Sequence, residues 1–213
     1  MPEHTPEHTG GALEALSPDL ASRLRFLLEA DALKTILRRN SIVGGTRLEN
    51  SAEHSWHLAV MALVLAPYSN EVVDIGRVVS MLLIHDIVEI DAGDTFIYDV
   101  SARLEQAAAE AAAAERLFEM FPDGHEMRAL WEEFETRATP EARFARAIDR
   151  LEPLLLNHAN RGETWRRHGV HAEQVRAVNS LIADGSDELW DAAVSLMDDA
   201  VKRGWLPEQG SVQ

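Results

Sequence analysis

The chain has 213 residues, 46% apolar and 26% charged, a composition that can bury a single globular core. Acids outnumber bases by 36 to 20, and the formal charge of −16 argues against nucleic-acid polymers and anionic membranes as partners. With no cysteine, disulfide scaffolds, cysteine-ligated zinc, iron–sulfur clusters and thiol nucleophiles are excluded, so any metal must be held by His and carboxylates.

In chain order the pattern is helical almost throughout. The first residues carry PEHT twice, at 2–5 and 6–9, with neither the basic start nor the apolar run of a signal peptide. Residues 1–16 are therefore expected to be a loose tail and the protein cytoplasmic. Ser17-Pro18-Asp19 reads as a capped helix start, followed by Leu20, Leu24, Leu27 and Leu28 at helical spacing. Asn40–Asn50, with Gly44-Gly45, reads as a loop. Ser51 is expected to cap a helix reaching Ala66, whose apolar run from Leu58 is far short of the ~20 residues that span a bilayer. Asp74 to about Ile90 is a central apolar helix and Asp91–Val100 a loop. Further helices are expected at 101–120, 126–137, 139–160, 172–183 and 187–202. The reading is all-α: one helical-bundle domain at 17–203, with a short tail at 204–213.

Three polar features interrupt this apolar frame. His85, Asp86 and Glu89 lie inside the run from Val78 to Ile90, and helical spacing gathers them into one patch. A buried patch of this kind must be paired or hold a metal; a simple His–Asp hydrogen bond with Glu89 at the rim is the plainer alternative. His54 and His57 share a face at the start of the preceding helix, beside Glu53. Asp149 sits in an apolar-periodic helix four residues before Pro153, which cannot donate to its carbonyl, so a kink or loosening is expected there. The plainer readings are a core His54, and an Asp149 paired at the surface with Arg143, Arg146 or Arg150.

His54, His85-Asp86 and Asp149, in that order, resemble the pattern of the HD-domain phosphohydrolase superfamily. Glu49-Asn50-Ser51-Ala52-Glu53-His54-Ser55, His85-Asp86-Ile87-Val88-Glu89 and Gly93-Asp94-Thr95 are similar to its 5′-deoxynucleotidase branch. The resemblance implies His54, His85, Asp86 and Asp149 as ligands of one divalent metal per subunit. That two-nitrogen, two-oxygen set suits Mn, Fe, Co, Ni or Zn. It implies hydrolysis of a nucleoside 5′-monophosphate, with Glu89 and Asp94 sharing the tasks of orienting or deprotonating water and protonating the leaving 5′-oxygen. It also implies phosphate contact from an arginine ahead of the first His. Arg38 is the best match, with Arg39 and Thr95 as further substrate contacts. Lys34, Arg38, Arg39 and Arg47 are read as one basic cluster near the site. Several relatives carry a Trp shortly after that arginine; this chain reads Arg38-Arg39-Asn40-Ser41, so no preference for deoxyribose is carried over. Relatives are dimers, and a homodimer is expected. A second reading within enzymes is a phosphodiesterase or nucleoside polyphosphate hydrolase on the same ligands, and one of a different class is a non-catalytic nucleotide-binding module.

Overall fold

A computed structural model describes residues 12–98 and 100–209, without the side chains of 100–105. Most of the tail expected at 1–16 therefore lies outside the described residues, while Leu13 is buried. The helices are α1 (Pro18–Ala30), α2 (Ser51–Leu65), α3 (Ile75–Ile84), the short α4 (Glu89–Ala92), α5 (Val100–Phe118), α6 (Gly124–Thr136), α7 (Pro140–Ala159), α8 (Glu163–Arg167), α9 (Ala172–Asn179), the short α10 (Ile182–Gly185) and α11 (Asp187–Lys202).

Caps set the starts of several helices. Ser17 accepts from the Leu20 amide with Pro18 in the first turn, and Thr139 accepts from the Ala142 amide ahead of Pro140. At α2 the cap is Asn50, not Ser51: its side chain accepts from the Glu53 amide while Glu53 reaches back to the Asn50 amide. That capping box leaves the Ser51 hydroxyl free to face the interior. α7 runs unbroken through Pro153, so the loosening expected at Asp149 does not end the helix. α7 forms the spine, packing on α2, α3, α6, α10 and α11. Leu58, Met81, Leu82, Phe144, Ile148 and Met197 fill the main core. A second core gathers Phe26, Leu33, Ile84, Val88, Leu117 and Phe118.

Four segments differ from the sequence expectation; one is the helix expected at 172–183, which breaks after Asn179 and resumes as α10 at Ile182. The loop expected at 40–50 contains part of a hairpin: β1 (Leu37–Ser41) pairs antiparallel with β2 (Leu48–Asn50), the one sheet among the described residues. The helix expected to reach Ile90 stops at Ile84. There the His85 ring donates from Nδ1 to the Leu82 carbonyl at 2.9 Å, taking the acceptor that the Asp86 amide would use in a continuing helix. The chain then tightens through Ile87–Ile84, Glu89–Asp86 and Ile90–Ile87 backbone bonds before α4 forms. Finally, the tail expected from residue 204 stays packed through Pro207. Leu206 is buried, the Pro207 carbonyl accepts from the Ala172 amide, and the Trp205 carbonyl lies where a side chain at Gly162 would collide with it.

Candidate metal and phosphate site

The site forms where α2, the turn after α3, and α7 meet. His54 is in the first turn of α2 and is completely buried. His85 and Asp86 follow α3, and Asp149 lies midway along α7. Donor atoms of His54, His85 and Asp149 all lie within 4.8 Å of one another. His54 Nε2 donates to Asp149 Oδ1 at 3.2 Å, and His85 Nε2 is 3.7 Å from the same oxygen. Nδ1 of His85 is committed to Leu82, so Nε2 is left facing this cluster without a hydrogen-bond partner. A buried nitrogen held this way from behind fits a metal ligand, because the bond at Nδ1 orients the ring.

Asp86 falls outside that mutually close trio. Its Oδ1 is 3.0 Å from His85 Nε2, and its Oδ2 accepts from Arg38 Nη1 at 3.1 Å. Arg146 and Arg150 flank Asp149 at 3.3 and 3.8 Å, so the pairing read as a surface one is buried. The Phe134 ring meets His85 edge-on at 4.8 Å, and the Arg146 guanidinium lies 4.0 Å from its centre.

A cavity of roughly 310 Å³ opens in front of these groups. Arg38, Arg39, His85, Asp86, Glu89, Asp94, Thr95 and Asp149 line it, while His54 lies behind the wall. Glu89 begins α4, and its Oε2 accepts from the Ser51 hydroxyl at 2.6 Å. Gly93 at φ +76 ends α4 with its amide on the Glu89 carbonyl, and turns the chain so that Asp94 returns to the cavity. Thr95 donates its hydroxyl to Gln106 at 2.7 Å. Arg38 is enclosed by acids: Asp86, Glu49 at 3.6 Å and Asp94 at 3.9 Å. The basic cluster read from the sequence does not form. Lys34 pairs with Asp31 and Arg47 with Glu53, both exposed, and of the four only Arg38 and Arg39 line the cavity.

Burial and neighbouring charge set the proton affinities. Burial, then repulsion by Asp86, pushes Glu89 up to about 8. Burial likewise raises Asp94, against the pull of Arg38. Burial works to raise Asp86, but the His85 charge 3.0 Å away, with Arg38 beside it, brings it down to about 2. Burial opposes charge on His85, yet Asp86 and Asp149 raise it to about 9. Burial works to raise Asp149 as well, and Arg150 with the two imidazoles holds it well below the usual carboxylate range. A metal entering this cluster must displace the His85 proton. Affinity for Mn or Co should therefore rise with pH, about tenfold per unit for each displaced proton. Competition with a chelator across pH 6–10 measures this; a flat profile would rule out His85 as a ligand.

Two site residues escaped the sequence reading. Glu152, one turn after Asp149 on α7, is fully buried, and Glu49 is buried at the hairpin edge. Glu49 lay within the motif already quoted, and Glu152 shares a face with Asp149 at i+3; both were visible as acids but not as interior ones. His57, a conceivable extra ligand from its spacing, turns instead to Glu152.

Fold and site together define a helical bundle with a buried two-histidine, one-aspartate cluster beside an arginine-bearing cavity. Residues 30–190 match the HD domain family, and the chain belongs to it. It is 32% identical over 135 residues to the 5′-deoxynucleotidase HDDC2 of Bos taurus and 30% identical over 137 residues to that of Homo sapiens. Those alignments cover 62% and 63% of this chain, and only 64% and 66% of the relatives' own lengths. Among solved structures, a predicted metal-dependent phosphohydrolase from Magnetospirillum magnetotacticum is 50% identical, with a TM-score of 0.86 over 89% of this chain and 96% of that one. The PH0347 protein of Pyrococcus horikoshii, 22% identical with a TM-score of 0.59 over 81% of this chain and 99% of that one, shares the fold.

Proposed function

We propose that this protein is a metal-dependent phosphohydrolase that removes phosphate from (deoxy)nucleoside 5′-monophosphates, using one divalent Mn, Co, Fe, Ni or Zn ion per subunit. The observation that carries the reading is the convergence of His85, Asp149, Glu89 and Asp94 on one cavity whose wall also holds the acid-enclosed Arg38. The names of the HDDC2 and Magnetospirillum relatives support the same class. His54, His85 and Asp149 hold the ion, with Asp86 beside them as the fourth ligand. When bound, the ion lowers the pKa of a water and polarises the phosphoryl group. Arg38 takes phosphoryl oxygens, a task suited to its forked donors, and Arg39 and Thr95 border the substrate. Glu89, raised to about 8, exchanges a proton near neutrality and serves as general base. Asp94, on the same cavity wall, is the group placed to protonate the leaving 5′-oxygen.

Phosphate release from a panel of 5′- and 3′-mononucleotides, with and without Mn or Co, tests the reading. Cleavage of a diester or triphosphate with no monophosphate cleaved would overturn it. Losing one member of a desolvated charge pair costs about 2–5 kcal/mol. Arg38→Ala should thus lower kcat/KM by at least about 30-fold, and Arg38→Lys should recover only part because it cannot bind two oxygens at once. Equal kcat/KM in wild type and Arg38→Ala would remove Arg38 from the substrate site.

Among the described residues no helix is long and apolar enough to cross a membrane. We place the protein in the cytoplasm, acting on free nucleotides rather than nucleic-acid polymers; fractionation and a polymer-binding assay check these. It is further proposed to be a homodimer, joined through the face of α2 where Trp56, Val60, Leu63 and Val64 stay exposed. Light scattering that gives the mass of one chain would refute the dimer.

A further inference from the structure

His54 has a back as well as a front. Its Nε2 faces Asp149 and the proposed metal position. Its Nδ1 points the other way, 3.3 Å from Glu152 Oε2 and 3.5 Å from Glu49 Oε2. All three atoms are buried and none has a hydrogen bond of sound geometry. Glu152 has no exposure at all, and its other oxygen accepts from His57 Nδ1 at 3.0 Å. His57 is the solvent-side member, with about a third of its side chain exposed.

Buried carboxylate oxygens without donors are costly. One proton on His54 Nδ1, shared toward these oxygens, relieves all three atoms. With Nδ1 keeping that proton, Nε2 can give up the one it donates to Asp149 when a metal is bound and offer its lone pair, the form in which an imidazole binds metal. His85 is built alike, its Nδ1 held by the Leu82 carbonyl. For His54 the holder is a carboxylate, which also makes the ring a stronger ligand.

We infer that Glu152 is a positioning residue that fixes the ring of His54 by accepting its Nδ1 proton, with His57 bracing Glu152 from the solvent side and Glu49 as the second acceptor. The inference rests on the proposed metal reading at His54. Donor atoms of Glu49, His57 and Glu152 also lie within 4.8 Å of one another, so a cation site of their own is the competing account, and the test separates the two.

The experiment uses the full chain and Mn or Co. It measures affinity by chelator competition, equivalents bound at saturation, and the melting temperature of the metal-free protein. Glu152→Leu, of similar bulk but without an acceptor, should weaken metal binding about 10–100-fold while one equivalent still binds at saturation. Glu152→Gln keeps a carbonyl acceptor and should recover most of that affinity. His57→Ala should weaken binding by a smaller factor. In zinc-loaded protein with nitrogen-15 histidine, the His54 ring should carry its proton on Nδ1.

The inference is overturned by unchanged affinity in Glu152→Leu, by equal losses in the Leu and Gln variants, or by a His54 proton on Nε2. It is also overturned if Glu152→Leu and His57→Ala each lose a whole metal equivalent while the remaining site keeps its affinity, which would mark a separate cation site. Should Glu152→Leu fail to fold, unchanged affinity in His57→Ala overturns it. A wild-type chain that binds neither metal defeats the metal reading itself, and the inference with it.

Discussion

Asp149→Ala should abolish metal-dependent turnover and metal binding, and should also destabilise the metal-free protein. Both effects follow from one carboxylate. Asp149 is the anion common to His54, His85, Arg146 and Arg150. Removing it leaves two imidazoles and two guanidinium groups facing one another in the interior. Deleting one partner of a buried ionic cluster costs about 3–5 kcal/mol. For a chain of this length each kcal/mol moves the melting temperature by about 2–4 °C, so a fall of roughly 6–20 °C is expected. The pH dependence has a definite sign. Asp149 titrates below the usual carboxylate range in the folded protein, so its stabilisation is full above that range and is lost as acid protonates the native carboxylate. The gap in melting temperature between wild type and variant should therefore close as the pH falls toward and below that range. Metal-stimulated hydrolysis by Asp149→Ala at saturating metal would sink the ligand assignment. A gap that stays constant with pH would show that the charge is not what matters.

Much of this arrangement can be read from local chemistry, and the exceptions have physical causes. α7 and α11 start where Thr139-Pro140 and Ser186-Asp187 say they should, because a cap is a contact between residues three apart. His54, His85 and Asp149 stand out because an ionisable side chain in an apolar helix needs a reason to be there. The end of α3 was not legible, since it depends on which carbonyl the His85 ring captures. Nor was the hairpin. Leu37–Ser41 has no apolar alternation, and its end is held from another element, by Asn160 donating to the Ser41 and Ile42 carbonyls. The basic cluster failed for a related reason. Lys34 and Arg47 are near Arg38 in sequence, but each has an acid of its own within six residues, and the short-range pair wins. Glu152 looks like any helix-surface acid until α2 closes over it.

Glu89→Gln should stabilise the metal-free protein at alkaline pH and, in the same molecule, remove most of its catalysis. The stability half comes from burial. Glu89 is pushed up from 4.5 to about 8, first by burial and then by the Asp86 charge, so folding favours its neutral form. The neutral glutamine carries no such preference and still offers an oxygen to the Ser51 hydroxyl. A raised carboxyl leaves stability untouched below its unfolded value, and erodes it as the pH climbs through the folded value. Wild type and variant should therefore melt together near pH 4.5 and diverge up to about pH 8, with the variant higher. The gap should then hold steady, at about 2–4 °C for each kcal/mol relieved. The catalytic half comes from the loss of a group able to take a proton, worth about 10²- to 10⁴-fold in rate. A residue that only braced the fold would lose stability and activity together on replacement. Opposite signs are expected here because the ionised carboxylate beside Asp86 is a strain on the fold that the reaction uses. Wild-type activity in Glu89→Gln would transfer the base role elsewhere, with Asp94 the next group to replace. Identical melting at pH 9 would show that the fold does not oppose the ionised form of Glu89.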